Sequence, residues 1–377
     1  MSKISITTLG SLIEFQRGYD LPKTSFVEGN VPVISSNGIL GYHNEYKVKG
    51  PGITIGRSGT VGLPHYIEDN FYPHNTSLFI KDFKGNHPKY IYYLLKTLGL
   101  NDRGSGSGVP TMNRNHLHPL KVRAYLNPVY QEDIANVLTS IDSKIALNNR
   151  INAELEAMAK TVYDYWFVQF DFPNAEGKPY KSSGGKMVWC EELKREIPEG
   201  WEVETLKDVA NFTTGKLDSN AEVINAKYPF YTCAAEPTTT DTYAYDDTVI
   251  LIAGNNASGN FHINRYKGKF NAYQRTYIVT AKELIDLEYI YQVLNTETKL
   301  LKTQGKGSQT KFLTIGMLTG IKVFKNKELM KFFHELVNPM YEKQQVLSKE
   351  NQQLSSLRDW LLPMLMNGQV SVGDIQT

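Results

Sequence analysis

The chain has 377 residues, with 41 Lys/Arg against 39 Asp/Glu, a length that predicts two to three domains each able to bury its own core. Two cysteines, Cys190 and Cys233, exclude a disulfide framework and a four-cysteine metal site, and no stretch approaches the roughly 18 apolar residues of a membrane span. With no basic-then-apolar leader, a soluble, cytoplasmic protein is expected.

The small net charge hides an asymmetry. Residues 1–127 carry fourteen Lys/Arg against eight Asp/Glu and six of the eight histidines, whereas residues 128–200 carry eight against twelve. The first part is modestly basic, which permits a phosphate-binding surface without demanding one.

In chain order, residues 1–127 are predicted to form a mixed globule of short strands, loops and a little helix. A strand at Ile53-Thr54-Ile55 runs into the turn Gly56-Arg57-Ser58-Gly59, and a short helix follows from Tyr90 to Leu98. A Gly/Ser loop spans 104–108. Residues 128–168 form a long helix, because Ile134, Leu138, Ile141, Ile145, Asn148, Asn152, Leu155, Ala159, Val162 and Trp166 alternate steps of four and three. Residues 169–200, rich in Gly, Ser and Pro, are predicted to be an extended connector. A second globule occupies 201–326. It has a strand at Val249–Ile252 running into a Gly-rich turn at 254–259, a helix from Glu288 to Leu294, and a loop at 305–308. Residues 327–368 form a second long helix with a seam at Phe333, Leu336, Met340, Lys343, Leu347, Glu350, Leu354, Leu357, Leu361 and Met364, and 369–377 is a tail. Both seams turn polar at mid-length, a device that weakens pairing and fixes register. Pro339 is predicted to kink the second helix.

The two globules are copies. Thr8-Leu9, Leu12, Phe15 and Gly18 match Thr205-Leu206, Val209, Phe212 and Gly215 at a shift of 197. Tyr90-Ile91-Tyr92 and Leu95 match Tyr289-Ile290-Tyr291 and Leu294 at 199, and Lys121-Val122 matches Lys322-Val323 at 201. Aromatic and glycine positions stay in register over more than 110 residues, with small indels at turns, which identifies a duplicated domain. The fold class is therefore α+β, as two pseudo-symmetric globules each followed by a long helix.

Catalytic motifs are missing. Asn127-Pro128-Val129-Tyr130 and Asn338-Pro339-Met340-Tyr341 each fall one proline short of the Asn-Pro-Pro-Tyr motif with which amino-methyltransferases hold a flipped adenine. Neither is predicted to follow a strand, and no cofactor-binding glycine motif precedes them; helix entry and a kink explain them better. The run Gly56–Gly62 lacks Gly-Lys-Ser/Thr and a following helix, so it is not a phosphate loop. His116 and His118 have no third metal ligand nearby and read as structural histidines, and no Ser or Cys sits in a nucleophile elbow.

What the loops offer is a recognition surface, since glycine lets backbone approach a ligand and polar side chains supply donors and acceptors for base edges. The candidate DNA-binding residues of the first copy are Arg57, Ser58, His74, Asn75, Arg103, Ser105, Ser107, Asn113 and Arg114. Those of the second are Asn255, Asn256, Gln274, Arg275, Lys306, Ser308, Gln309 and Lys311. The copies share scaffold but differ at these positions, as one fold reading two ligands would.

Several segments then resemble the specificity subunit of type I restriction-modification enzymes over nearly the whole chain. They are Tyr130-Gln131-Glu132 at the first helix start and Tyr163-Asp164-Tyr165-Trp166-Phe167 at its end, then Gly177-Lys178-Pro179-Tyr180 and Ile197-Pro198-Glu199-Gly200-Trp201. Arg358-Asp359-Trp360-Leu361-Leu362-Pro363 with Met366-Asn367-Gly368 completes the set. The resemblance implies two target-recognition domains separated by two long helices packed as an antiparallel coiled coil, each domain reading one half of a split double-stranded DNA target. It implies no active site and no cofactor in this chain. Two modification subunits would supply S-adenosylmethionine-dependent methylation, and ATP- and Mg-dependent restriction subunits would join them. A helix of about 35 residues spans about 50 Å, a length suited to holding readers on major-groove segments about one turn of DNA apart. The rival readings are a bivalent scaffold binding protein or glycan and a self-contained DNA methyltransferase.

Overall fold

A computed structural model describes residues 4–103, 111–256, 259–304 and 311–375. The chain divides into two compact units, residues 1–148 with 350–377, and residues 149–349.

The first unit is built on a four-stranded antiparallel sheet in the order Glu14–Arg17, Ser77–Asp82, Gly52–Gly56, Pro64–Ile67. The predicted strand at Ile53–Ile55 is its centre. Because successive side chains alternate faces, Leu78 and Ile80 join the main core while Phe79 joins a smaller cluster with Ile34, Ile67 and Phe71 on the other side. The main core takes Tyr90, Ile91, Leu94 and Leu95 from helix Pro88–Lys96, Ile134 and Leu138 from the first long helix, and Leu361 and Leu365 from the second. Each fully buried side chain of this kind contributes about 1.5–3 kcal/mol through removal from water.

The second unit has a six-stranded sheet in the order Ala210–Thr214, Thr276–Ala281, Tyr245–Ala253, Ile263–Ala272, Tyr228–Tyr231, Thr238–Thr240. Its hydrogen bonds repeat those of the first unit. Leu9 N–H donates to the Leu120 carbonyl at 2.8 Å and Leu206 N–H to Ile321 at 2.9 Å; Gly18 donates to Ser77 at 3.0 Å and Gly215 to Thr276 at 3.1 Å. Ser77 Oγ donates to the Ile34 carbonyl and Thr276 Oγ1 to that of Tyr231, both at 3.2 Å. The glycine pair has a steric cause. A Cβ at Gly18 would lie 2.1 Å from the His74 carbonyl oxygen, and one at Gly215 would lie 2.2 Å from that of Ala272.

The long helices run Pro128–Tyr163, followed by a π-helical turn at Asp164–Val168, and Lys327–Asn367. The second continues through Pro339, whose side lies exposed. Within the first unit Arg358 Nη1 meets Asp142 at 2.9 Å, and Asn148 Nδ2 donates to Glu350 at 2.8 Å and Asn351 at 2.9 Å. Within the second, Asn152 Nδ2 reaches Ser348 Oγ at 3.4 Å and Gln344 Nε2 donates to the Asn152 carbonyl at 2.7 Å. Numbers rise on one helix as they fall on the other, from Asp142/Arg358 to Asn148/Glu350 in the first unit and from Asn152/Ser348 to Glu156/Gln344 in the second, so in each unit the pairing is antiparallel.

The second helix departs from the predicted seam near its start. Met330, Phe333, Val337 and Tyr341 are buried, whereas Leu336 is 45% exposed. This stretch packs on the domain core, so its buried face follows the straight-helix period of 3.6 rather than a supercoiled 3.5.

Residues 169–200, expected to be an extended connector, are folded. Phe170 is buried, Phe172 stacks between Tyr180 at 4.7 Å and Trp201 at 5.2 Å, and Asp171 accepts bonds from Ser182 N and Oγ at 2.7 and 2.6 Å. Strands Met187–Cys190 and Arg195–Pro198 then form an antiparallel hairpin. Polar composition concealed an aromatic cluster.

Asn127 also differs from expectation, since strand Lys121–Tyr125 ends just before it. Its role is nonetheless helix entry. Asn127 Oδ1 accepts from Val129 N at 3.0 Å, its carbonyl accepts from Gln131 N at 3.0 Å, and the Tyr130 ring packs 4.6 Å from Tyr125. Asn338 lies inside the second long helix.

Candidate nucleic-acid interface

In the first unit the loops after three strand ends meet. Arg57 and Ser58 leave strand Gly52–Gly56, and their N–H groups donate to the Thr76 carbonyl at 2.8 and 3.2 Å, which ties them to the turn holding His74 and Asn75. The Arg57 carbonyl accepts from Met112 N at 2.9 Å, bringing in Asn113 and Arg114. A concave cleft of about 540 Å³ results, lined by Gln16, Arg17, Gly18, Tyr19, Asp20, Arg57, Leu78, Asn113 and Arg114.

Six sequence candidates thus converge: Arg57, Ser58, His74, Asn75, Asn113 and Arg114. Ser105 and Ser107 lie outside the described residues, and Arg103 is placed by its backbone alone, in the short turn Leu100–Arg103. Not all six are equally open to a ligand. Asn113 Oδ1 caps helix Arg114–Leu117 by accepting from Asn115 N at 3.0 Å, and His74 Nδ1 is held by Thr76 Oγ1 at 3.0 Å. Burial lowers the pKa of His74, so it is neutral at physiological pH. Arg57 spends one donor on the Asn75 carbonyl at 3.4 Å, leaving the rest of its planar fork toward the cleft.

Sequence reasoning missed Gln16, Arg17 and Asp20. Arg17 is exposed and pairs with Asp20 at 3.2 Å, while Asn75 Nδ2 donates to the same Asp20 oxygen. One carboxylate therefore orients a guanidinium and an amide side by side. The available signal was Gly18: a residue that must lack a Cβ to pass His74 marks its neighbours as lying beside that turn.

In the second unit the same frame carries other chemistry. Gly254 N–H donates to the Arg275 carbonyl at 2.9 Å and its carbonyl accepts from Leu313 N at 2.9 Å, the counterparts of the Arg57–Thr76 and Arg57–Met112 bonds. Asn255 and Asn256 pair with Phe312 and Lys311 as short strands, and exposed Gln274 anchors its N–H on the Leu217 carbonyl at 2.9 Å. Thr214, Gly254 and Ile315 stand where the first unit has Arg17, Arg57 and Arg114, while Arg275 replaces Thr76. Lys306, Ser308 and Gln309 lie outside the described residues, and of Lys311 only the backbone is described.

His118 is structural. Its Nε2 accepts from Phe15 N at 3.0 Å, and its ring stacks on Phe15. Burial, aided by Lys84 and Arg114, lowers its pKa, consistent with a neutral acceptor. Among the described residues no three His, Cys, Asp or Glu side chains are grouped to hold a metal ion, and no helix is long and apolar enough to cross a membrane.

Comparison with known proteins follows this duplicated architecture. The sequence family described as the type I restriction modification DNA specificity domain matches residues 1–157 and again 198–324. The specificity subunit of the type I restriction enzyme EcoDI of Escherichia coli is 39% identical over 127 residues, covering 34% of this chain and 28% of that protein. The MjaIX specificity subunit of Methanocaldococcus jannaschii is 27% identical over 312 residues, 76% of this chain and 70% of its own length. The crystal structure of a type I restriction-modification S subunit from M. genitalium superposes with a TM-score of 0.68 at 19% identity, covering 97% of this chain and 96% of that one, and so shares the fold. On the family match over both repeats, the chain belongs to the type I restriction-modification DNA specificity family.

Proposed function

We propose that this chain is the non-catalytic sequence reader of a type I restriction-modification complex, each recognition domain reading one half of a bipartite double-stranded DNA target. The observation that carries the reading is one backbone frame holding two polar sets: Arg17, Arg57 and Arg114 around the first cleft, and Asn255, Asn256, Gln274 and Arg275 in the second domain. Arginine forks suit the O6 and N7 acceptors of guanine, whereas Asn and Gln amides suit the N6 and N7 pattern of adenine. The proposal assigns base contacts to these residues with Ser58, His74 and Asn75, and backbone contacts to the neighbouring Lys and Arg.

On this reading the antiparallel helices set the spacer and dock two modification subunits. S-adenosylmethionine, ATP and Mg are held by the modification and restriction subunits, and none by this chain. Gel shift with randomised duplex DNA, with and without modification subunits, tests the proposal. Retarded, sequence-selected DNA is expected; retention of protein or glycan but not DNA would favour a bivalent scaffold.

A further inference from the structure

The second unit fastens its sheet to the long helix in a way that the first does not. Strand Ile263–Ala272 pairs with Tyr245–Ala253 on one side, but with Tyr228–Tyr231 on the other only at Asn271 and Ala272, so its earlier residues form an open edge. An open edge leaves peptide groups without strand partners. At Lys267 a side chain replaces the absent strand: Gln345 Oε1 accepts from the Lys267 N–H at 3.2 Å, and Gln345 Nε2 donates to its carbonyl at 2.6 Å.

Two residues earlier, Arg265 reaches the same helix. Its side chain is 5% exposed, donates from Nε and Nη2 to Glu288 Oε1 at 3.1 and 2.8 Å, and donates from Nη2 to Asn338 Oδ1 at 2.7 Å. Its guanidinium lies 5.4 Å from the centre of the Tyr341 ring, and His334 holds the second oxygen of Glu288 at 2.5 Å. Asn338, Tyr341 and Gln345 recur at steps of three and four, one face of a helix. A buried ion pair contributes little net stability, because desolvation offsets its attraction, but breaking it is costly. Its effect is to fix position, since the strand cannot slide or turn on the helix without losing several directional bonds.

Among the described residues, the first unit shows no such sheet-to-helix contact. At the shift of 199 shared by buried Ile134/Phe333 and Leu138/Val337, Tyr66, Glu68 and Lys89 stand for Arg265, Lys267 and Glu288. There Lys89 lies 3.6 Å from the Tyr66 ring centre and 2.9 Å from Glu68, a contact confined to the globule. Ala146 stands on the first helix where Gln345 stands on the second, and has no polar atom to offer.

We infer that Arg265, Asn338 and Gln345 are positioning residues that fix the second recognition domain on its helix and thereby hold the DNA spacer to one length. The inference rests on the bipartite reading proposed above. The test uses the full chain, with and without modification subunits, and duplexes that hold both selected half-targets while the gap varies one base pair at a time. In Gln345→Ala the preference for the best gap over its neighbours falls about fivefold or more, the scale of one or two lost hydrogen bonds. Sequence preference within the second half-target is kept. Glu335→Ala, which removes an exposed pair with Lys331 on the same helix, changes the ratio less than about twofold. Gln345→Met, of similar length without the amide, must reproduce the alanine result. An unchanged gap preference in both Gln345 variants, whether or not hydrogen exchange shows the Lys267 amide opened, overturns the inference. So does loss of the second half-target's sequence preference, which would mean that these residues hold the domain's fold. A wild-type chain without two-part preference would refute the bipartite reading itself.

Discussion

On the proposed reading, single residues in the loops divide the labour of recognition. Arg57 is tied to the Asn75 carbonyl through one donor, which holds its guanidinium in a fixed pose. Arg57→Ala should weaken binding of the first half-target by about 1–3 kcal/mol and leave discrimination in the second intact, with Arg275→Ala doing the reverse. Binding selection on both variants checks this, and equal loss across both halves would mean contact with phosphate alone. Gly18→Ala places a Cβ against the His74 carbonyl and should destabilise the first domain by about 1–3 kcal/mol, measured by denaturant unfolding. Away from the loops, burial and the nearby Glu283 raise the Asp286 pKa to about 6. The folded state then holds that proton more tightly than the unfolded chain, so stability falls as pH rises from about 4 toward 6. Asp286→Asn should raise the melting temperature at pH 7 by about 2–4 °C and flatten that slope.

The legibility of these residues was uneven for physical reasons. Arg57 stood out because a strand ending in Gly-x-x-Gly announces a loop. Arg17 was hidden, since its nearness to His74 and Asn75 follows from a close backbone approach at Gly18 rather than from local composition. Arg265 and Gln345 are 80 residues apart in sequence and belong to elements of unrelated pattern, so nothing local joins them.

At the scale of elements, periodicity predicts the long helices, and Asn148, Asn152 and Glu350 lie in the pairing where the heptad places them, whereas Lys343 is exposed and Gln344 takes its place. Asn148 is fully buried and donates to Glu350 and Asn351, while its own Oδ1 has no hydrogen-bond partner. Such a residue costs stability and fixes register. Replacing Asn148 and Asn351 together by Leu should raise the melting temperature and loosen the pairing register, read by disulfide trapping between neighbouring positions. A lower melting temperature would contradict this account. Periodicity misplaced the start of the second helix, because there a domain core rather than a helix is the partner, and the buried face moves to Met330, Phe333 and Val337. The connector was misread for a related reason: Phe170, Phe172 and Trp201 are too widely spaced to form a pattern, yet they pack as one cluster.

For the molecule as a whole, the proposal makes the paired helices a ruler. Four residues added to each, at 148–152 and opposite at 348–351, insert about one turn and about 5 Å with little change of face. The preferred DNA gap should lengthen by about one or two base pairs, at about 3.4 Å each, with both half-targets unchanged. The same reading expects the chain alone to transfer no methyl group from labelled S-adenosylmethionine to mixed-sequence DNA, and incorporation above a buffer control would refute it.

The central claim, that one duplicated frame reads two different half-targets, is tested most directly by selecting bound duplexes from a fully randomised library. The full chain is used with its modification subunits. The account predicts two short, dissimilar motifs separated by a constant gap, with Arg17→Ala and Arg57→Ala degrading only one of them. A single contiguous motif, or no enrichment of any sequence, would contradict it.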